Sequence, residues 1–128
     1  MAHLTILDAS ILLAHLDDTD PHSEAAKTIL AEGDAFAAST ITLAEVLVGA
    51  VRAGRLDEVL AALSRLEISE VPIERGAAAQ LAHLRAETGL RMPDCCVVHA
   101  AGKTGADAVA TRDDRLARVA VARGLQTP

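Results

Sequence analysis

Four acidic side chains occupy the same kind of position along this sequence. Each lies within one helical turn of a predicted helix start: Asp8, Glu45, Asp94 and Asp113. Asp8, Glu45 and Asp113 also follow predicted strands, and parallel strands end along one edge of a sheet, so these three are expected to converge there. Carboxylates gathered in one cleft repel one another unless a cation neutralises them. The pattern therefore indicates a hard, oxygen-liganded cation such as Mg²⁺ or Mn²⁺, which can orient and activate a water molecule against a phosphodiester.

Each of these acids also has an ordinary structural explanation. Asp8 could cap the helix that follows it. The segment 42–45, Thr-Leu-Ala-Glu, matches a capping box in which the Glu45 side chain bonds back to the first residue's amide. Asp94 could complement a helix dipole, and Asp113 could stabilise a turn through its own backbone. For any one acid, the structural explanation is at least as good as a functional role. The shared position of all four acids favours a functional site.

The elements that must position the acids are short apolar runs and amphipathic segments. Strands are predicted up to Leu7 and over residues 35–38, 68–72 and 106–110. Helices are predicted from near Ser10, over about 22–31, 43–53, 56–66, 74–88 and 115–123, and from Pro93-Asp94 to about Lys103. This succession of strands and helices predicts an α/β sandwich around a short, mostly parallel sheet.

Composition narrows the class of protein further. The 128 residues are expected to form a single domain, and with 51% hydrophobic but 1% aromatic residues its core must consist of Ala, Val, Leu and Ile. No apolar run approaches the roughly 20 residues that a membrane span requires, and the N-terminus lacks a signal-peptide pattern. The two cysteines are adjacent and cannot staple the fold, so a cytoplasmic location is expected.

Charge argues against non-specific nucleic-acid binding but leaves a metal-mediated mode open. The chain carries 12 basic and 18 acidic side chains, a net charge of −6, whereas non-specific binding depends on neutralising phosphates. The charges are unevenly spread. Acids crowd the loop at 17–20, and arginines gather between 112 and 123. A nucleic-acid substrate held through a bound cation is therefore not excluded.

Four segments together resemble the PIN-domain family and, within it, the toxin ribonucleases of VapBC toxin–antitoxin systems. They are Leu7-Asp8-Ala9-Ser10, Thr42-Leu43-Ala44-Glu45, Pro93-Asp94 at the opening of a small-residue helix, and Thr111-Arg112-Asp113. No single segment is specific, but the resemblance covers essentially the whole chain, 1–128, in the family's order. It implies one PIN-like domain with a three-layer α/β/α architecture.

The resemblance also implies a function and a site. The function is Mg²⁺- or Mn²⁺-dependent endoribonuclease activity on an RNA substrate, inhibited by a cognate VapB-type antitoxin. By position, the catalytic and metal-site acids are Asp8, Glu45, Asp94 and Asp113. Ser10 matches the small hydroxyl residue near the first of them. Together with helix faces rich in Leu and Ala, the resemblance also predicts a homodimer.

Two further features concern the last motif and the RNA. Many relatives end that motif in Asp-Phe, where this chain has Arg115-Leu116, so Asp114 is the near substitute for an additional acid. Arg52, on the helix face of Glu45, and Arg112, beside the last acid, could contact RNA phosphates. Both could equally be ordinary solvated arginines.

Three alternatives deserve comparison with the nuclease. A catalytically inactive PIN-like module that binds RNA or protein would not need all four acids. A phosphotransfer domain with Asp8 as the phosphorylated residue would usually have another acid beside it, where this chain has Leu7, Ala9 and Ser10. A zinc site at 95–99 (Cys-Cys-Val-Val-His) would need adjacent cysteines, about 100° apart on a helix, to share one ion. Small buried hydrophobes explain these cysteines better.

Overall fold

The computed structural model of the chain describes residues 2–128. In chain order, its elements are β1 (Leu4–Leu7), α1 (Ala9–Leu16), α2 (Ser23–Glu32), β2 (Ala35–Ser39), α3 (Thr40–Arg52), α4 (Leu56–Arg65), β3 (Ser69–Val71), α5 (Ala77–Thr88), α6 (Met92–Thr104), β4 (Ala108–Ala110) and α7 (Asp114–Ala122). This order confirms the predicted α/β class. Across the described residues, none of these helices combines the length and apolarity that crossing a membrane would require.

The four strands form one parallel sheet in the order β3-β2-β1-β4. The chain moves outward from β1 through β2 to β3 and then crosses back to place β4 on the other side of β1. Adjacent strands whose connections leave in opposite directions define a topological switch point, and the crevice at their carboxyl ends is where open α/β sheets bind ligands. In this sheet the switch point lies between β1 and β4.

Both faces of the sheet are apolar and both are covered by helices. Because side chains alternate along a strand, Ile6 and Val109 pack into a core cluster with α5, α6 and α7. Their neighbours Leu7 and Ala110 pack into a second cluster with the four helices α1 to α4. The chain therefore has three layers, α/β/α. Cys95 is one of the small buried residues of the first cluster and forms no disulfide.

Helix α3 starts three residues earlier than the sequence pattern predicts, and this matters for the site. Its N-cap is Ser39, whose side-chain oxygen accepts a hydrogen bond of 3.3 Å from the Ile41 amide. The capping box at 42–45 is therefore wrong, because Thr42 is already inside the helix and buried. Helix α5, in contrast, starts three residues later than predicted, since Gly76 has a positive φ of 90° and interrupts the helical backbone.

Candidate functional site

Asp8 lies at the switch point, where β1 ends and α1 begins. Its backbone amide donates to the Ala110 carbonyl of β4 at 3.1 Å. Its side chain, only 7% exposed, caps α1 by accepting from the Ser10 amide at 3.2 Å. The other carboxylate oxygen accepts hydrogen bonds from the hydroxyl groups of Ser10 and Thr111. Asp8 is thus a cap, as one explanation predicted, but the hydroxyl groups also fix its second oxygen.

The same two hydroxyl groups fasten the β4–α7 loop to the end of β1. The Ser10 oxygen accepts from the Arg112 amide at 3.0 Å, and the Thr111 oxygen accepts from the Asp113 amide at 3.0 Å. Sequence reasoning named Ser10 and missed Thr111. A usable signal was present, since a hydroxyl residue two positions before an aspartate in a turn often bonds to the backbone.

Asp113 reaches the same edge from β4. Its carboxylate caps α7 by accepting from the Leu116 amide at 2.9 Å, and the side chain is partly buried. Asp114, the first residue of α7, is exposed. The negative charge of Asp113, but not that of Asp114, contributes to raising the pKa of Asp94. Asp113 rather than Asp114 therefore faces the other acids.

Asp94 occupies the first turn of α6 and is 6% exposed. Burial raises the pKa of its carboxyl group, and the negative charge of Asp8 raises it further. Arg91 opposes both effects, since its Nε atom is 3.6 Å from the Asp94 Oδ2 atom. A place in the first helical turn also suits a helix dipole, but a dipole alone does not explain acidic neighbours that disfavour the ionised form.

Glu45 lies one turn inside α3, where no backbone amide needs a cap. Desolvation raises the pKa of its carboxyl group, followed by the negative charges of Asp8 and Asp94. The charge of Arg91 again acts in the opposite direction. Glu45 and Asp94 therefore interact with the same acid, Asp8, and with the same cation. Sequence reasoning missed Arg91, although a basic residue three positions before an acid near a helix start is a familiar pairing.

The donor chemistry of this edge suits a hard cation. The four carboxylates and two hydroxyl groups supply oxygen ligands only, the set that Mg²⁺ and Mn²⁺ prefer. Within residues 2–128, however, no three His, Cys, Asp or Glu side chains are grouped closely enough to form a ready ion site. Two of the acids have raised pKa values, and Asp94 is held by Arg91. Sharing one ion would therefore require the acids to approach one another more closely than they do in this structure.

The family follows from comparison with known proteins. The family model of the PIN domain matches residues 5–122. The chain belongs to the PIN-domain family. Comparison with curated proteins finds no match.

Solved structures are similar over most of the domain. A toxin–antitoxin complex from Klebsiella pneumoniae contains a chain that is 26% identical, with a TM-score of 0.70, over 85% of this PIN domain and 86% of that chain. VapC20 of Mycobacterium tuberculosis, a toxin that cleaves the sarcin–ricin loop, is 16% identical with a TM-score of 0.75. The match covers 90% of this chain and 94% of that chain. A chain of DNA-bound VapBC from Salmonella typhimurium is 20% identical with a TM-score of 0.68. The match covers 100% of this chain and 98% of that chain. At 16% and 20% identity, the similarity to VapC20 and to the Salmonella typhimurium VapBC is a similarity of fold.

The two arginines predicted to contact RNA differ in this PIN domain. Arg52 is exposed in the last turn of α3, two turns beyond Glu45 on the same face. Arg112 is also exposed, but its Nη2 atom is 2.7 Å from the Nδ1 atom of His22. Arg112 thus has a side-chain partner within the fold, and His22 is a residue that sequence reasoning did not connect with the site.

A second polar cluster of the PIN domain lies on the α5–α6 side of the sheet. Glu74 accepts from His99 Nε2 at 3.1 Å and pairs with Lys103 Nζ at 3.0 Å. A hydrogen bond from its own backbone and then one from Lys103 lower the pKa of Glu74 to about 2. This cluster accounts for His99, the histidine of the zinc alternative, since its Nε2 atom is bonded to the Glu74 carboxylate.

Proposed function

We propose that this PIN domain is a Mg²⁺- or Mn²⁺-dependent endoribonuclease that acts as the toxin of a type II toxin–antitoxin system. The observation that carries the proposal is the convergence of acids at the switch point. Four carboxylates lie towards one edge of the sheet, and desolvation and mutual repulsion raise the pKa of two of them, Glu45 and Asp94. Such an arrangement costs stability in a free protein unless a cation is bound. The toxin–antitoxin complex from Klebsiella pneumoniae, at 26% identity, supports the toxin assignment.

In this proposal, Asp8, Glu45, Asp94 and Asp113 hold the ion or ions. A bound Mg²⁺ or Mn²⁺ would neutralise charge on the phosphodiester and make water a better nucleophile. Ser10 and Thr111 keep the Asp8 carboxylate in one orientation through hydrogen bonds to its second oxygen. Arg91 lies beside Asp94 and partly offsets its negative charge.

The remaining residues in the proposal concern RNA and protein partners. Arg52 and Arg112 are exposed cations that would contact phosphates of the RNA. The inhibitory partner is a cognate VapB-type antitoxin, and the toxin forms a homodimer. VapBC from Salmonella typhimurium and the complex from Klebsiella pneumoniae are toxin–antitoxin assemblies built on the same fold.

The deciding experiment is end-mapping of total RNA after incubation with the purified protein. We expect new, discrete RNA ends in Mn²⁺ or Mg²⁺ and none in excess EDTA. Cleavage that is undiminished in EDTA would refute the metal mechanism. RNA binding without cleavage in either ion would instead identify an inactive PIN-like binding module. The toxin role has a separate test: expression should arrest growth, and co-expression of the adjacent small open reading frame should relieve the arrest.

A further inference from the structure

Arg112 lies beside the acid site, and none of the carboxylates in residues 2–128 forms an ion pair with its guanidinium. In the described part of the chain, several other cations are paired with acids: Lys27 with Asp18, Arg55 with Glu58, Arg91 with Asp94, Lys103 with Glu74, and Arg123 with Glu87. The Arg112 guanidinium instead lies 2.7 Å from an imidazole nitrogen of His22. A guanidinium has donors only, so in this hydrogen bond the Nδ1 atom of His22 is the acceptor. An imidazole nitrogen, unlike a carboxylate oxygen, brings no negative charge to the contact.

Both members of this pair are fixed through their backbones. The Arg112 amide donates to the Ser10 hydroxyl oxygen at 3.0 Å, and that hydroxyl group donates to the Asp8 carboxylate at 3.1 Å. The His22 amide donates to the Asp20 carboxylate at 2.7 Å, which sets the start of α2. Two separate loops, α1–α2 and β4–α7, thus bring an imidazole and a guanidinium together. The backbone of Arg112 is only two hydrogen bonds away from the Asp8 carboxylate.

The chemistry that recognises such a pair is that of a phosphodiester. A protein of net charge −6 with four acids at its site repels an RNA strand unless fixed cations offset the repulsion. A guanidinium presents a rigid fork of donors that matches phosphate oxygens, and it is more useful when its orientation is set in advance. An imidazole that accepts a hydrogen bond orients the fork without cancelling its charge, which a carboxylate would do.

We propose that Arg112 binds an RNA phosphate next to the one that is cleaved, and that His22 is a positioning residue that orients the Arg112 guanidinium for it. This inference rests on the proposed ribonuclease function, because it places the phosphate relative to a scissile bond. His22 acts through Arg112 and does not itself need to touch the RNA.

The test compares Arg112→Ala, His22→Ala, the double variant and Arg112→Lys with the parent. The control is Arg118→Ala, since Arg118 is an exposed arginine of α7 for which residues 2–128 provide no ion pair or side-chain hydrogen bond. Cleavage of a labelled single-stranded oligoribonucleotide in Mn²⁺ gives KM and kcat. Binding of the same oligonucleotide, measured by fluorescence anisotropy in Ca²⁺ over a series of salt concentrations, gives Kd and its salt dependence. Thermal melts verify that each variant is folded.

We expect Arg112→Ala to raise KM and Kd on the order of tenfold, as loss of a charged hydrogen-bond donor does, with little change in kcat. The slope of log Kd against log salt concentration should decrease by about 0.7, the value for one phosphate contact on a single strand. Arg112→Lys and His22→Ala should weaken binding while leaving this slope in place. The double variant should bind no more weakly than Arg112→Ala, because His22 has no effect without Arg112.

Three results would overturn the inference. An unchanged Kd for Arg112→Ala would remove the phosphate contact, and an equal loss for Arg118→Ala would reduce the effect to net charge. Additive losses in the double variant would show that His22 does not act through Arg112. If the parent binds RNA with the expected pattern but never cleaves it, the phosphate contact is supported and the proposed nuclease function fails on its own.

Discussion

Two groups of carboxylates in this PIN domain have opposite electrostatic character. On the α5–α6 side, Glu74 is met by its own backbone, Lys103 and His99, and its pKa falls to about 2. At the carboxyl edge of the sheet, partial desolvation and acidic neighbours raise the pKa values of Glu45, which is exposed, and Asp94, which is buried. In the first group, the negative charge of Glu74 has partners within the chain. In the second group, Arg91 offsets only part of the negative charge of the acids.

This difference distinguishes a structural cluster from a candidate site. Carboxylates that serve only the fold are expected to have partners that favour the charged form, as Glu74 does. Acids whose neighbours disfavour the charged form persist when something outside the fold compensates them, and such groups concentrate at functional sites. Glu74 is therefore the matched control for the acids at the sheet edge.

The largest expected effect is on cleavage. Asp8→Asn and Asp94→Asn should each lower the rate of RNA cleavage by orders of magnitude, because each removes a charged oxygen ligand while keeping the side-chain shape. Asn caps a helix about as well as Asp, so Asp8→Asn should remain folded. Glu74→Gln should leave cleavage unchanged. Initial rates on a labelled RNA in excess Mn²⁺, with circular dichroism of each variant, provide the measurement.

A result of the opposite kind would remove the distinction between the clusters. Cleavage by both asparagine variants at the parental rate would show that the edge acids are caps and dipole partners. If Glu74→Gln were folded but no longer cleaved RNA, the Glu74 cluster would be needed for cleavage, which contradicts a site confined to the carboxyl edge of the sheet.

Much of the edge could be predicted from sequence because it depends on local patterns. Asp8 and Asp113 come directly after short apolar strands, and the carboxyl ends of parallel strands meet at one edge. The order β3-β2-β1-β4, which makes that edge a switch point, depends on long-range packing that no local pattern encodes. The role of Asp94, which follows no strand, came from the family resemblance instead. The assignment of all four acids as metal ligands stays a prediction.

The errors have equally physical causes. The sequence pattern placed the start of α3 at the capping box, residues 42–45. In the structure the helix starts earlier, because Ser39, the last residue of β2, is its N-cap. Thr111 contributes through a hydrogen bond to Asp8, which lies 103 positions away in sequence. Arg91 is local to its partner Asp94, three positions away, but its effect on Glu45 depends on the folded chain. His22 is another distant case, because its partner Arg112 lies 90 positions away in sequence.

The second prediction concerns metal-dependent stability. Mn²⁺ should stabilise the parent by mass action, by about 2.7 kcal/mol at a hundredfold excess over the dissociation constant. Asp94→Asn should gain much less, whereas Glu74→Gln should gain as much as the parent because its cluster holds no ion. Thermal melts of the three proteins in EDTA and in Mn²⁺ provide the comparison. A parent that Mn²⁺ does not stabilise would contradict a metal site at the edge.

The smallest expected effect, and the most direct comparison of the two clusters, is the pH dependence of stability without metal. A carboxyl group with a raised pKa in the fold favours folding below its unfolded pKa, and this contribution is lost as the pH rises through the folded value. Asp94→Asn in EDTA should therefore be at least as stable as the parent at pH 7 and should lose this advantage below the ordinary pKa of 3.8.

Glu74 should behave in the opposite way. Its lowered pKa contributes stability above the ordinary value of 4.5, and that contribution is lost as the pH falls towards about 2. Glu74→Gln should therefore be less stable than the parent at pH 7, and the two proteins should converge near pH 2. Denaturant unfolding across this pH range measures both differences. If Asp94→Asn also lost stability at neutral pH, Asp94 would be a dipole partner like any first-turn acid, and the two clusters would be of one kind.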